Sequence, residues 1–307
     1  MSGSVLRSPS AGEKPLLYSI WDTVFGSVGK DSFFDCFYND DLCVLAEFEG
    51  TAASVGYLVP TGEILHGSIS VPCAMIYSVA TLHMYRGMGI GTAVVRELIR
   101  VANKLGFPAV VLCPMNDELF GFYSKRTGMR DFFYIGERIA DCGQGCEPAC
   151  VDPAGLKYLK EPKDLKEPKE PKDLKELNEV SANEYLRLRE NLLAGSVHIK
   201  QDIKILEYQI MLCNELGGGL FRFGDSCAAV ELQENGGVWI KELLSSGPDA
   251  DDFVSAIAAM FPAHEYTVRF PSNLNEGRRF GMLDLQDDVF GDLSNITPAP
   301  WYGMAFD

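Results

Sequence analysis

Apolar positions change period along this chain, and the changes mark out its elements. Val94, Val95, Leu98, Ile99, Ala102 and Leu105 recur at spacings of one, three and four, which puts them on one face of a helix that Gly106 ends. Ahead of it, Leu42 to Phe48 and Ala52 to Val59 read as strands around a Glu49-Gly50 turn, and the run AMIYSVATL leads into Arg86. Behind it come Ala109 to Met115 as a short buried strand, a helix from Asp117 to Arg126, and the alternating segment RDFFYIGERI. Leu16 to Tyr38 is helix-compatible, with breaks near Gly26 and Gly29. The order α-β-β-β-α-β-α-β predicts an α/β sandwich on a mixed sheet.

The same plan returns later in the chain. Helical patterns over Ser181 to Leu193 and Lys200 to Leu216 precede strands at Gly219 to Phe223, Ser226 to Leu232 and Gly237 to Leu244. A helix over Ala250 to Phe261 and a strand over Glu265 to Phe270 follow. Between the two plans, lysine falls at 157, 160, 163, 166, 169, 172 and 175, and the unit KEPKDL occurs twice. Pro162, Pro168 and Pro171 interrupt any helix there, and a period of three fits polyproline II, with the lysines along one edge. Seven acidic residues between 157 and 179 balance them, so a stiff soluble spacer is favoured over a basic ledge for an acidic partner. The expected organisation is a first domain over 1–150, a linker over 151–179 and a second domain over 180–307.

Composition narrows the function. The 307 residues are 47% hydrophobic, enough for real cores, and the formal net charge of −16 argues against binding nucleic acid. Residues 1–150 carry 11 basic and 16 acidic side chains, whereas 180–307 carry 9 and 19, so the acidity concentrates in the second part. The longest mostly apolar stretch, Phe253 to Phe261, is far short of the roughly 20 residues a bilayer requires. The first dozen residues lack a signal-like apolar core, and nine scattered cysteines fit a reducing cytoplasm. Cys142, Cys146 and Cys150 are spaced more widely than usual zinc pairs and have no nearby His, so an ordinary loop is expected and no metal.

The chemistry concentrates in YSVATLHMYRGMGIGTAVVRELI, Tyr77 to Ile99. A strand runs into Arg86-Gly87-Met88-Gly89-Ile90-Gly91 and directly into a helix. Glycines let backbone amides turn toward one point, and a helix start presents unpaired N–H groups and a positive dipole end; together they bind phosphate or pyrophosphate. The spacing is neither G-x-G-x-x-G nor a P-loop, which would need G-K-S/T.

It resembles the R/Q-x-x-G-x-G/A signature of the GNAT superfamily of acyl-CoA N-acyltransferases, with Arg86, Gly89 and Gly91 in the fixed places. Asn116 and Tyr123, seven residues apart in NDELFGFYSKRTGM, match a further pair of the superfamily, although Gly128-Met129 replaces the usual Gly-Phe. The resemblance covers residues 16–140 and implies acetyl-CoA as co-substrate. It implies that backbone amides of Arg86, Gly87, Met88, Gly89, Ile90, Gly91 and Thr92 hold the pyrophosphate. Val79, Ala80 and Thr81 would pair with the pantetheine arm as with an added strand, and Asn116 would hydrogen-bond the cofactor. Tyr123 would protonate the departing thiolate, its alternative being core packing between helix and sheet.

On the acceptor side no base is assigned. Met75, Ile76, Tyr77 and Ser78 stand where many relatives place a Glu. His83, His66 and Glu118 are candidates, as is the carboxylate of Asp307, because some tandem relatives use a C-terminal carboxylate and WYGMAFD is aromatic enough to dock. In the second domain SSGPDADD replaces the glycine loop: Pro248 offers no amide, and Asp249, Asp251 and Asp252 would repel a pyrophosphate. The chain as a whole resembles tandem GNAT proteins of bacteria with a degenerate second domain. The expected activity is acetyl transfer to a primary amine of a small molecule or peptide, with a cationic acceptor met by the acidic second half. The competing expectation is a CoA-binding sensor or interaction module without transfer.

Overall fold

The computed structural model describes residues 4–27, 29–140, 176–245, 250–287, 289–291, 293 and 296–306. The lysine-repeat spacer up to residue 175, the three cysteines at 142, 146 and 150, Pro248, Asp249 and Asp307 lie outside the described residues.

The first half runs β1 (Ser4–Arg7), α1 (Lys14–Phe25), α2 (Lys30–Cys36), β2 (Cys43–Phe48), β3 (Thr51–His66), β4 (Ile69–Thr81), α3 (Ile90–Lys104), β5 (Ala109–Leu112), α4 (Asp117–Thr127) and β6 (Arg130–Ala140). The second runs β7 (Leu177–Glu179), α5 (Ala182–Leu192), β8 (His198–Gln201), α6 (Ile203–Leu216), β9 (Gly218–Phe223), β10 (Ser226–Leu232), β11 (Val238–Leu244), α7 (Ala250–Met260), β12 (Tyr266–Phe270) and β13 (Arg278–Leu285). The helices start and stop as their sequences dictate. Asn116, Ser181 and Asp202 each cap a helix by accepting an N–H of its first turn, and Gly128 closes α4 in the left-handed conformation.

One continuous mixed sheet joins the halves in the order β1-β2-β3-β4-β5-β13-β6-β12-β11-β10-β9-β7, with β8 on β3. At its centre the halves exchange strands. β13 lies between β5 and β6, and β6 lies between β13 and β12, all antiparallel. Outward from that pair the arrangement repeats: β4 with β5 and β11 with β12 are both parallel. The two predicted plans therefore interleave rather than form two separate bodies.

The α3 and α4 helices cover one face of the first half, burying Val94, Val95, Leu98 and Phe120 against β2 to β5. The α7 helix covers the corresponding face of the second half through Phe253, Val254 and Ile257. On the opposite face α1, α2, α5, α6 and the segment around Trp301 share a single core drawn from both halves. Burial on that scale, at about 25 cal/mol per Å² of apolar surface, is the main force holding the halves together. No helix among the described residues is long and apolar enough to cross a membrane.

Candidate active site

The cleft begins where two strands part. The β4–β5 ladder ends at Met75 opposite Val111, and β4 continues to Thr81 without β5. Ser78 takes a positive φ of 48°, and the register of β4 with β3 slips between Val55 and Tyr57. That bulge turns the strand away from its neighbour and opens a gap with a free backbone edge. On its other side β4 is held tightly: Ser54 Oγ donates to the Ala80 carbonyl at 2.7 Å, and Ala80 and Thr81 pair with Val55 and Ser54.

The strand ends in a 3-10 turn over His83–Tyr85 and then the glycine loop. Gly87 and Gly89 have φ of 79° and 78°, a conformation that disfavours any side chain. Gly91 is required for a different reason: a Cβ there would meet Thr81 Oγ1 at 2.9 Å, so only glycine lets α3 start this close to β4. The first bond into the helix is Ala93 N–H to Gly89 O at 3.1 Å. The amides of Ile90, Gly91 and Thr92 precede it, as the first N–H groups of any helix do. No acidic side chain stands in the first turn of α3, in contrast to Asp251 and Asp252 in the first turn of α7. Arg86 Nε donates to the Thr81 carbonyl at 3.2 Å, so its side chain ties the loop to the strand, while the exposed Met88 adds only backbone.

Between the parted strands lies a cavity of about 500 Å³. Met75, Tyr77 and Val79 line it from β4, Leu112 from the end of β5 with Cys113 just after it, and Leu119 and Tyr123 from α4. Burial pushes the Tyr123 hydroxyl above its ordinary value, so it stays protonated at neutral pH. That is the form a proton donor to sulfur requires. Asn116 caps α4, its Oδ1 accepting the Leu119 N–H at 3.2 Å, and sits exposed beside the cavity-lining Met115.

Sequence reasoning missed the far wall. Trp239, Arg269, Arg278 and Phe280 reach the cavity from the second half, Trp21 and Phe25 from α1, and Ala305 and Phe306 from the C-terminal segment. The Arg269 guanidinium lies 4.1 Å from the Trp239 ring centroid and 5.1 Å from that of Phe280. Glu137 accepts from Arg269 at 2.9 Å and from Arg278 at 2.6 Å. Burial works against the Glu137 carboxylate, but the hydrogen bonds from Arg278 and Arg269 prevail and hold it below the usual range. Trp239, Arg269, Arg278 and Phe280 carry no sequence signal, because the strand exchange brings them here, whereas the aromatic C-terminal segment was expected to dock.

The candidate bases among the described residues are elsewhere. His83 is exposed at the 3-10 turn, Glu118 is exposed on α4, and His66 sits at the end of β3 beside Phe290; none lines the cavity. Among the described residues no Asp, Glu or His lines it. No cluster of three or more metal-ligating side chains is found among the described residues.

Residues 14–129 match the family model described as the acetyltransferase (GNAT) family. The match lies within the first half of the chain, which is therefore similar to a GNAT acetyltransferase domain. Solved structures agree on the fold across nearly the whole chain. A GCN5-related N-acetyltransferase from Kribbella flavida is 14% identical, with a TM-score of 0.63, 92% of this chain and 72% of that one covered. Another from Anabaena variabilis is also 14% identical, with a TM-score of 0.64 over 92% and 73%. Eis1 from Mycobacterium abscessus is 12% identical, with a TM-score of 0.59 over 92% and 74%. No curated protein sequence matches the chain.

Proposed function

We propose that the protein transfers an acetyl group from acetyl-CoA to a primary amine by direct attack within a ternary complex. The observation that carries this reading is the continuity of one surface. The glycine loop at the start of α3 follows β4 closely in the chain, β4 runs past its ladder with β5 from Met75 to Thr81, and Val79 of that stretch lines the same cavity as Tyr123. The residues fit the co-substrate. The Arg86 N–H donates to the His83 carbonyl at 3.2 Å, so the amides of Gly87 to Thr92 receive the pyrophosphate at an acid-free helix start, while Val79, Ala80 and Thr81 pair with the pantetheine arm and Asn116 hydrogen-bonds the cofactor.

In the reaction, the amine nitrogen bonds to the thioester carbonyl carbon, and the carbon–sulfur bond breaks. Tyr123 supplies the proton that the leaving sulfur takes up, and the proton shed by nitrogen leaves with solvent. The amine must arrive neutral, although most alkyl amines are protonated at pH 7. Desolvation in a cavity whose charged walls are Arg269 and Arg278 favours that neutral form.

We read the first domain over 1–150 as the catalytic one and the part over 180–307 as a GNAT-like half that has lost its cofactor site. The repeated topology and the aspartates at the start of α7 support this. Six described cysteines carry free thiols, which supports a reducing, cytoplasmic setting. The test is thiol release from acetyl-CoA over a panel of primary amines. Release with at least one amine is expected; tight acetyl-CoA binding without release for any amine would leave only a cofactor-binding module.

A further inference from the structure

The acceptor side of the cavity has a definite chemical character. Trp21, Phe25, Trp239, Phe280 and Phe306 line the cavity together with Tyr77 of β4. Their rings are mutually fixed: Phe306 lies 5.2 Å from Tyr77 and 4.5 Å from Tyr208, and Trp21 lies 5.9 Å from Tyr77. Phe306 is held there because Trp301 to Ala305 are buried ahead of it, with the Met304 carbonyl accepting from Gln201 Nε2 at 2.9 Å. A cavity of about 500 Å³ falls in the lower half of the roughly 300–1,000 Å³ typical of small-molecule sites, and the thioester end must share it.

Charge among the described residues argues against the alternative that the acidic second half first suggested. A polycationic acceptor needs carboxylates, and the charged side chains that line this cavity among the described residues are Arg269 and Arg278. Buried ammonium groups without anionic partners are strongly disfavoured. A flat apolar group, by contrast, finds offset and edge-on ring partners on several sides.

We infer that the acceptor is a small primary amine carried on a flat apolar body, an arylalkylamine, and that Phe306 sets its fit. This rests on the acetyl-transfer reading above, and the test separates the two. Initial rates at saturating acetyl-CoA are measured with 2-phenylethylamine, n-butylamine and spermidine, for the full chain and for Phe306→Leu and Phe306→Ala. Thermal unfolding checks that each variant is folded. In parallel, quenching of tryptophan fluorescence by N-acetyl-2-phenylethylamine reports binding without turnover, since Trp21 and Trp239 line the cavity.

The expected result is a kcat/KM for 2-phenylethylamine about tenfold or more above the other two amines, reduced stepwise in Phe306→Leu and Phe306→Ala through KM. Turnover that favours spermidine, or that is equal across the three, overturns the inference and leaves acetyl transfer standing. If no amine is turned over, the acetyl-transfer reading fails and the fluorescence arm decides. Saturable quenching weakened in Phe306→Ala supports the aromatic compartment, and no quenching overturns it.

Discussion

The Trp301 indole N–H donates to Glu242 Oε2 at 2.7 Å, with both side chains fully buried. The same carboxylate accepts from Arg189 Nε at 3.0 Å and from the Tyr185 hydroxyl at 2.9 Å, and Arg189 Nη1 donates to the Ile199 carbonyl at 2.7 Å. Gly303 crosses directly over the pair, where a Cβ would come within 2.4 Å of Arg189 Nη2. One buried ion pair thus holds the segment that delivers Ala305 and Phe306 to the cavity. A buried pair is weak evidence of net stabilisation, but removing one member leaves an uncompensated charge at a cost of about 3–5 kcal/mol. Glu242→Gln is expected to lower unfolding free energy by that order in denaturant titration. Trp301→Phe, which removes one charge-assisted bond, is expected to cost about 1.5–3 kcal/mol. A loss below 0.5 kcal/mol (about a factor of two in the folding equilibrium) for both would show that the pair does not hold the segment.

Tyr123 gives a pH prediction whose sign follows from its surroundings. Burial disfavours the phenolate and raises the pKa, so the donor form persists beyond the ordinary tyrosine value of about 10. The rate at saturating amine should therefore show no falling limb between pH 7 and 9 (an interval below that value). Tyr123→Phe should lower kcat by about 10²–10⁴ with little change in acetyl-CoA affinity. A falling limb near pH 8, absent in Tyr123→Phe, would assign a depressed pKa to this hydroxyl and contradict its burial.

The two loop glycines should fail differently. Gly89→Ala places a side chain at a φ of 78°, which costs backbone strain of about 1–3 kcal/mol. Gly91→Ala has an ordinary φ but meets Thr81 Oγ1, which shifts the start of α3 against β4. Both are expected to raise the acetyl-CoA KM about tenfold. The Gly91 variant should in addition be rescued by Thr81→Ala, which removes the obstructing hydroxyl, and the Gly89 variant should not. Equal rescue of both would refute the steric account.

Much of the fold was legible because burial and period coincide there. The α3, α4 and β6 segments were readable almost to the residue, β5 ends three residues earlier than expected, and Val79 of β4 and Tyr123 line one cavity. The unreadable parts are those that tertiary contacts decide. The strand expected to end at Val59 continues in β3 to His66. It bulges between Pro60 and Gly62, and a Cβ at Gly62 would strike the Lys200 carbonyl of β8. The β13 strand hides its period behind two register shifts at Gly281. Because β13 and its neighbours bring Arg269, Arg278 and Phe280 to the cavity, missing the strand exchange meant missing the acceptor wall.

That exchange makes the halves interdependent, which is testable by splitting the chain. Residues 1–150 expressed alone would keep β6 but lose β13 on one edge and β12 on the other. They would also expose core residues such as Phe37 and Tyr77, which Tyr208 of α6 and Phe306 cover. Unpaired strand edges beside exposed apolar surface favour aggregation over a stable fragment. Residues 176–307 alone face the same loss in mirror form, with β12 and β13 deprived of β6. Each piece is expected to be insoluble by itself, and the two co-expressed as separate chains to purify as a single 1:1 complex with one cooperative unfolding transition. A soluble first piece that unfolds cooperatively and binds acetyl-CoA would show that the strand exchange is dispensable and that the second half merely rests against a self-sufficient domain.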